Sequence, residues 1–194
     1  MKTQRRYPAV FLDRDGTILK ERGYLKEAHK MKFYPFVFRA LRSLQKKGFR
    51  LILITNQSGI GRGYFTRLQI DRIHKCFGKV LKRHGIKLAG IYLCPHHPRA
   101  GCSCRKPKPG LIKKAAKAHS LDVKRSYMIG DQLRDMRLSR AVNTKGVLVL
   151  TGAGRLSQEK AKVWANKVTS NLLTASQWIL SDCCCADRRI NEKN

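Results

Sequence analysis

Ala9-Val10-Phe11-Leu12-Asp13-Arg14-Asp15-Gly16-Thr17 is the stretch that decides the fold. Four consecutive apolar residues predict a short buried strand. Two carboxylates one residue apart follow at once, and Gly16-Thr17 supplies a turn. At such a strand end Asp13 and Asp15 can converge on one reaction centre. One then serves as nucleophile and the other as general acid, provided a cation restrains their repulsion. In isolation the string also fits an ordinary acidic turn, so the rest of the chain has to decide.

Outward from this strand, helix and strand signals alternate. Val37, Ala40, Leu41 and Leu44 recur at helical spacing, and Lys46-Lys47-Gly48 gives that helix a basic end and a stop. Leu51 to Ile54 reads as a second buried strand. Thr66 with Gln69 makes a capping box for a helix that presents Ile70, Ile73, Phe77 and Leu81 and stops near Gly85. Ile91-Tyr92-Leu93 predicts a third strand, Pro109-Gly110 opens a helix through Ala118, Tyr127-Met128-Ile129 predicts a fourth strand, and Val147 to Leu150 a fifth. Beyond that a weak helix and a polar tail from about residue 181 are expected. Alternation of this kind predicts one α/β domain over residues 1–194 with a mostly parallel sheet.

Each polar cluster lies just past the C-terminal end of a predicted strand, the edge where open α/β sheets bind ligands. Thr55-Asn56-Gln57-Ser58-Gly59 offers a hydroxyl, two amides and backbone N–H groups to an oxyanion, although a plain polar turn has the same composition. Cys94-x-His96, five residues, then Cys102-x-Cys104 gives three thiols and an imidazole within eleven residues. That set meets the four-ligand tetrahedral demand of a structural zinc site, with His97 as a less well-spaced substitute for His96. Arg105-Lys106-Pro107-Lys108 follows directly, with cations on a backbone stiffened by proline. Gly130-Asp131, with Asp135 four residues on, adds carboxylates suited to an oxygen-ligated magnesium site with Asp13.

The chain has 194 residues, 42% of them apolar, enough for a sizeable core without disulfides. Its basic N-terminus meets Asp13 too soon for a secretory signal, and no run is long enough to span a membrane, so a soluble cytoplasmic protein is expected. Of the seven cysteines, Cys76 is expected in the core, and Cys183-Cys184-Cys185 has no assigned role. Lys and Arg number 42 against 12 Asp and Glu, a formal +30. Such a field attracts polyanions without selecting one, and the charges are spread along the chain. Aromatic residues are not interleaved with them as in base-stacking platforms, which argues against a non-catalytic zinc-containing nucleic-acid module.

DRDGT, the strand-end Thr55, Lys106 and GDQLRD, in that order, resemble the haloacid dehalogenase superfamily from about Ala9 to Leu150. Within it, DRDGT, ERGY (21–24), TNQSGIGRGYFT (55–66) and CPHH…CSCRKPKPG look like the D,D-heptose 1,7-bisphosphate phosphatases. The related histidinol-phosphate phosphatases share the zinc loop. The resemblance implies a Rossmann-like three-layer sandwich without a large cap domain. It also implies a monomeric Mg²⁺-dependent phosphatase acting on a phosphorylated sugar, on the path to nucleotide-activated heptose for lipopolysaccharide. Asp13 would attack phosphorus; Asp15 would protonate the leaving oxygen and then activate water. Asp13, the Asp15 carbonyl and Asp131 would hold Mg²⁺, while Thr55 and Lys106 would stabilise phosphoryl charge. Arg14, Glu21, Arg22, Gly23, Tyr24, Asn56, Gln57, Ser58, Arg105 and Gln132 would contact substrate, and Cys94, His96, Cys102 and Cys104 would bind structural Zn²⁺. Two features depart from the family pattern. Gln132 stands where lysine is usual, and the zinc loop is short between His96 and Cys102, nearer the histidinol-phosphatase length. Histidinol phosphate and nucleic-acid 3′-phosphate are therefore the alternative substrates.

Overall fold

The computed structural model describes residues 6–21 and 23–191, the side chains of 186–191 excepted. In chain order the elements are β1 (Tyr7–Leu12), α1 (Val37–Lys46), β2 (Arg50–Asn56), α2 (Ser58–Gly61), α3 (Arg67–Arg83), β3 (Leu88–Cys94) and α4 (Gly110–His119). They continue with β4 (Leu121–Gly130), α5 (Leu133–Ala141), β5 (Lys145–Val149), α6 (Gly154–Ala161), β6 (Lys167–Thr169) and α7 (Leu172–Asn191). The strands form one parallel sheet in the order β3-β2-β1-β4-β5-β6.

The unbroken apolar runs follow from this arrangement, because a parallel strand is covered on both faces. Successive side chains of a strand point to opposite faces. Val10 and Leu12 of β1, Leu51 and Leu53 of β2, and Tyr127 and Ile129 of β4 join one core with α1, α3 and α7. Ala9 and Phe11, Ile52 and Ile54, and Met128 join a second core under α4 and α5. The result is a three-layer α/β/α sandwich.

The helix signals hold residue by residue. Val37, Ala40, Leu41 and Leu44 are buried on α1. Thr66 Oγ1 accepts from the Gln69 amide at 3.2 Å while Gln69 Oε1 accepts from the Thr66 amide at 2.7 Å, closing the capping box of α3. Such a cap contributes about 1 kcal/mol. Gly85, at φ +73°, ends that helix in the left-handed region that glycine enters without penalty.

Several expectations need correction. β3 and β4 are longer than their apolar runs, and Leu150 lies beyond β5. The region after β5 is not a weak helix and a tail but α6, the edge strand β6 and the twenty-residue α7, which runs past residue 181. Leu172, Ala175 and Ile179 anchor α7 in the core, and Cys183 packs against it. Cys76 is half-buried, not a core residue.

Candidate active site

β1 sits between β2 and β4, so the segments that leave these three strands meet at one edge of the sheet. This is the switch point at which α/β sheets open a crevice. Asp13 follows β1, with its amide donating to the Ile129 carbonyl at 2.9 Å. Thr55 is the penultimate residue of β2, and Asp131 follows β4. Lys106 arrives from the loop before α4. Its ammonium donates to Asp13 Oδ1 at 2.6 Å and to the Ile54 carbonyl at 3.0 Å, and lies 2.7 Å from Asp135 Oδ1. Asp131 and Asp135 are fully buried, and Asp13 is nearly so.

Three carboxylates against one ammonium leave a formal excess of two negative charges. Burial, with Asp13 and Asp135 alongside, pushes the Asp131 carboxyl up to about 8. Burial raises Asp135 as well, against the pull of Lys106. For Lys106 burial acts downward, but Asp13 and Asp135 outweigh it and raise its pKa. One oxygen of each acid lies within 4.8 Å of the others, and Asp131 Oδ1 is buried without a hydrogen-bond partner. A hard dication on these oxygens removes both the charge excess and the orphaned acceptor, so the residues fit magnesium. The cradle is shaped by glycine: a Cβ on Gly16, at φ +81°, would stand 2.1 Å from Asp131 Oδ2.

Asp15 is held from the side. Arg14 Nε donates to Asp15 Oδ1 at 3.0 Å and Arg14 Nη2 to Oδ2 at 2.8 Å, while Gln57 Nε2 donates to Oδ2 at 3.0 Å and to Thr55 Oγ1 at 2.8 Å. Arg14 is the largest fully buried side chain, and its Nη1 lies 3.1 Å from His74 Nε2. Burial, with Arg14 beside it, holds His74 down to about 3, so the ring is neutral and Nε2 accepts. Arg14 therefore does not reach the cleft as the sequence reading expected; it fixes Asp15.

The cleft above these groups has a volume of about 350 Å³ and is walled by Glu21, Gly23, Tyr24, Ser58, Arg105 and Gln132. Arg62, Pro98 and Arg134 also line it, and sequence reasoning gave them no role. Arg134 donates to the Gln132 side-chain oxygen, which places a guanidinium beside Gln132 at the cleft wall. Asn56 lines the cleft too, yet its amide is engaged by the Lys106 backbone. Its Oδ1 accepts from the Lys106 amide at 3.0 Å and its Nδ2 donates to the Lys106 carbonyl at 3.3 Å. It joins β2 to the Lys106 loop. Arg22 lies outside the described residues.

Beside the cleft, Cys94, His96, Cys102 and Cys104 form a second donor cluster. Cys94 Sγ is 3.6 Å from both His96 Nδ1 and Cys102 Sγ; Cys104 Sγ is 3.2 Å from His96 Nδ1 and 3.5 Å from Cys102 Sγ. Metal–sulfur bonds of about 2.3 Å give tetrahedron edges of roughly 3.8 Å, close to these spacings. Burial pushes the Cys94 thiol up to about 12. Burial acts the same way on Cys102, but hydrogen bonds from Cys104 and the Arg105 amide bring it down to about 6. His97 is not among the four.

Residues 103–175 match the hydrolase-like family model described as HAD-hyrolase-like. Over 179 residues the chain is 40% identical to the D-glycero-beta-D-manno-heptose-1,7-bisphosphate 7-phosphatase of Escherichia coli (strain K12), covering 89% of this chain and 93% of that one. The chain belongs to the heptose-bisphosphate phosphatase family of haloacid dehalogenase-type hydrolases. The relative of the same name in Helicobacter pylori (strain J99) is 44% identical over 144 residues, 74% of this chain and 83% of that one. Among solved structures, the D,D-heptose 1,7-bisphosphate phosphatase from B. bronchiseptica superimposes with a TM-score of 0.83 at 29% identity. The match covers 90% of this chain and 99% of that one, and that protein was solved with magnesium and phosphate. The family expected from the motifs, its α/β fold and its class of chemistry thus agree with both sequence and structure.

Proposed function

We propose that this chain is a magnesium-dependent phosphatase. In this reading it removes the 7-phosphate of D-glycero-D-manno-heptose 1,7-bisphosphate, on the path to nucleotide-activated heptose for the lipopolysaccharide core. The observation that carries the reading is the floor of the cleft, where Asp13 is fixed at 2.6 Å from the Lys106 ammonium beside two buried carboxylates. The named relatives favour the heptose substrate over histidinol phosphate and nucleic-acid ends.

The residues divide the work. An Asp13 oxygen attacks the phosphorus, and the bond to the sugar oxygen breaks to leave an aspartyl-phosphate. Asp15 gives the departing oxygen a proton, then takes one from the water that opens the intermediate. Arg14 and Gln57 hold the Asp15 carboxyl in place for both steps. Lys106 and Thr55 face the charge on the phosphoryl oxygens. Asp13, the Asp15 carbonyl and Asp131 would hold Mg²⁺, which would supply positive charge against the phosphoryl oxygens. Arg62, Arg105 and Arg134 on the rim suit the phosphate that is not cleaved.

Zinc in the Cys94, His96, Cys102 and Cys104 cluster would fill all four positions, so its role is structural: it holds the loop that delivers Arg105 and Lys106. About one zinc per chain is expected by metal analysis, and its removal by a chelator should lower the melting temperature and abolish activity. No zinc in protein purified without chelators, with full activity, would remove this part of the reading. No described helix is long and apolar enough to cross a membrane. In this reading the protein acts as a monomer in the cytoplasm.

Phosphate release from both anomers of heptose 1,7-bisphosphate, with Mg²⁺ and with EDTA, tests the whole reading. Rapid Mg²⁺-dependent loss of the 7-phosphate is expected. Turnover of histidinol phosphate alone would keep the chemistry and replace the substrate.

A further inference from the structure

Asp15 faces the cleft, but what orients it lies behind it. Its side chain is 22% exposed, whereas that of Arg14 is 1% exposed. Two nitrogens of the Arg14 guanidinium go to the Asp15 carboxyl. Nε donates to Oδ1 at 3.0 Å and to Oδ2 at 3.1 Å, and Nη2 donates to Oδ2 at 2.8 Å. A planar fork of this kind fixes a carboxyl group in direction as well as distance. It does so only while the fork itself is kept from turning, and a long arginine side chain has much rotamer freedom to lose.

The third nitrogen supplies the restraint. Nη1 lies 3.1 Å from Nε2 of His74, sixty residues on in the chain. α3 buries Ile70, Ile73, Phe77 and Leu81, and His74 is the polar member of that buried face. Arginine has only donors to offer, so Nε2 is the acceptor, the ring is neutral and its proton sits on Nδ1. A neutral acceptor matters here. A carboxylate at this position would compete with Asp15 for the guanidinium, and an apolar side chain would leave a buried N–H without its partner. Imidazole satisfies the donor and leaves the charge of Arg14 to Asp15.

His74 does not line the cleft, so any effect it has on the reaction passes through Arg14. We propose that His74 is a positioning residue for the proton transfers of Asp15: it sets the Arg14 guanidinium, and the guanidinium sets the carboxyl. The inference rests on the reading of Asp15 as acid and base given above. Proton transfer by a placed side chain contributes about a hundredfold or more, and a displacement of about 1 Å is enough to forfeit much of it.

The test uses two variants. His74→Leu removes the acceptor and keeps an apolar body; His74→Gln returns an amide oxygen at the same number of bonds from the backbone as Nε2. For each, kcat/KM is measured on two esters. The sugar oxygen of heptose 1,7-bisphosphate needs a proton to leave, whereas the phenolate of 4-nitrophenyl phosphate does not. His74→Leu should lower kcat/KM about tenfold for the sugar ester and less than about twofold for the nitrophenyl ester. His74→Gln should restore most of the loss. Equal losses on both esters, or no recovery with glutamine, would mean that the ring only packs α3 into the core, and would overturn the proposal. Asp15→Asn, run alongside, separates this inference from the reading beneath it. If Asp15→Asn discriminates between the esters and His74→Leu does not, the inference alone falls. If Asp15→Asn lowers both esters alike, Asp15 is not the acid and both fall. A second readout needs no turnover: hydrogen exchange of the Arg14 Nε–H, followed by nitrogen-15 NMR. Exchange should quicken by about tenfold or more in His74→Leu and stay near the parent in His74→Gln. Unchanged exchange in His74→Leu would likewise overturn the proposal.

Discussion

Asp13→Asn should lower phosphate release by about ten-thousandfold or more while the protein stays folded and still binds phosphate and Mg²⁺. The size of the loss follows from the geometry. Asp13 is the carboxylate at the end of the central strand that Lys106 holds at 2.6 Å, and no other group at the floor of the cleft is free to replace it as nucleophile. Asp131 and Asp135 are fully buried, and Asp135 is engaged by Lys106. Asp15 is clamped by Arg14 and Gln57. The amide keeps the shape and hydrogen-bonding reach of the acid, so the melting temperature should change little. Steady-state release and circular dichroism on the same preparation check both halves. A variant that keeps a tenth of the parent activity would remove Asp13 from the nucleophile's role.

Lys106→Met should cost more in stability than any surface change, about 3–5 kcal/mol, and should abolish activity. Methionine nearly matches the lysine stem in volume, so the loss is chiefly electrostatic. The Lys106 side chain is 1% exposed, and its ammonium lies within 2.7 Å of both Asp13 and Asp135. Its removal leaves three buried carboxylates facing one another with no cation. Mg²⁺ should therefore raise the melting temperature of the variant by more than it raises that of the parent, because the dication then compensates a larger charge excess. Activity should not return, since the charge on the phosphoryl oxygens still lacks its partner. Equal Mg²⁺ stabilisation of both proteins, measured by calorimetry, would show that the lysine does not balance the carboxylates.

The groups that meet at the floor of the cleft were legible in the sequence because a parallel strand buried on both faces leaves an unbroken apolar run, and the polar residues start where that run stops. Asp13, Thr55 and Asp131 each stand at such a stop. The Cys/His cluster was legible for a different reason: its four donors are local in the chain, so spacing alone carries the signal. What escaped depends on partners remote in sequence. Arg14, set between two acids, reads as a residue facing substrate. Its burial depends on His74, sixty residues away on α3. Asn56 reads as a donor to an oxyanion, and its engagement with the Lys106 backbone spans fifty residues. Asp135 showed only as a second carboxylate near Asp131, without its tie to Lys106.

β6 escaped because three residues are too short for any hydrophobic period, and its place is fixed by pairing with β5.

The central claim is that Asp13 carries the phosphoryl group. Its most direct test uses Asp15→Asn, in which both formation and opening of the intermediate are slowed, over an incubation long enough for the intermediate to accumulate. The variant is mixed with heptose 1,7-bisphosphate and Mg²⁺, quenched in acid, and its peptides are read by mass spectrometry. The account predicts one phosphorylated peptide, with the group on Asp13. Phosphate on another residue, or turnover of the variant at the parent rate without any phosphorylated peptide, would contradict it.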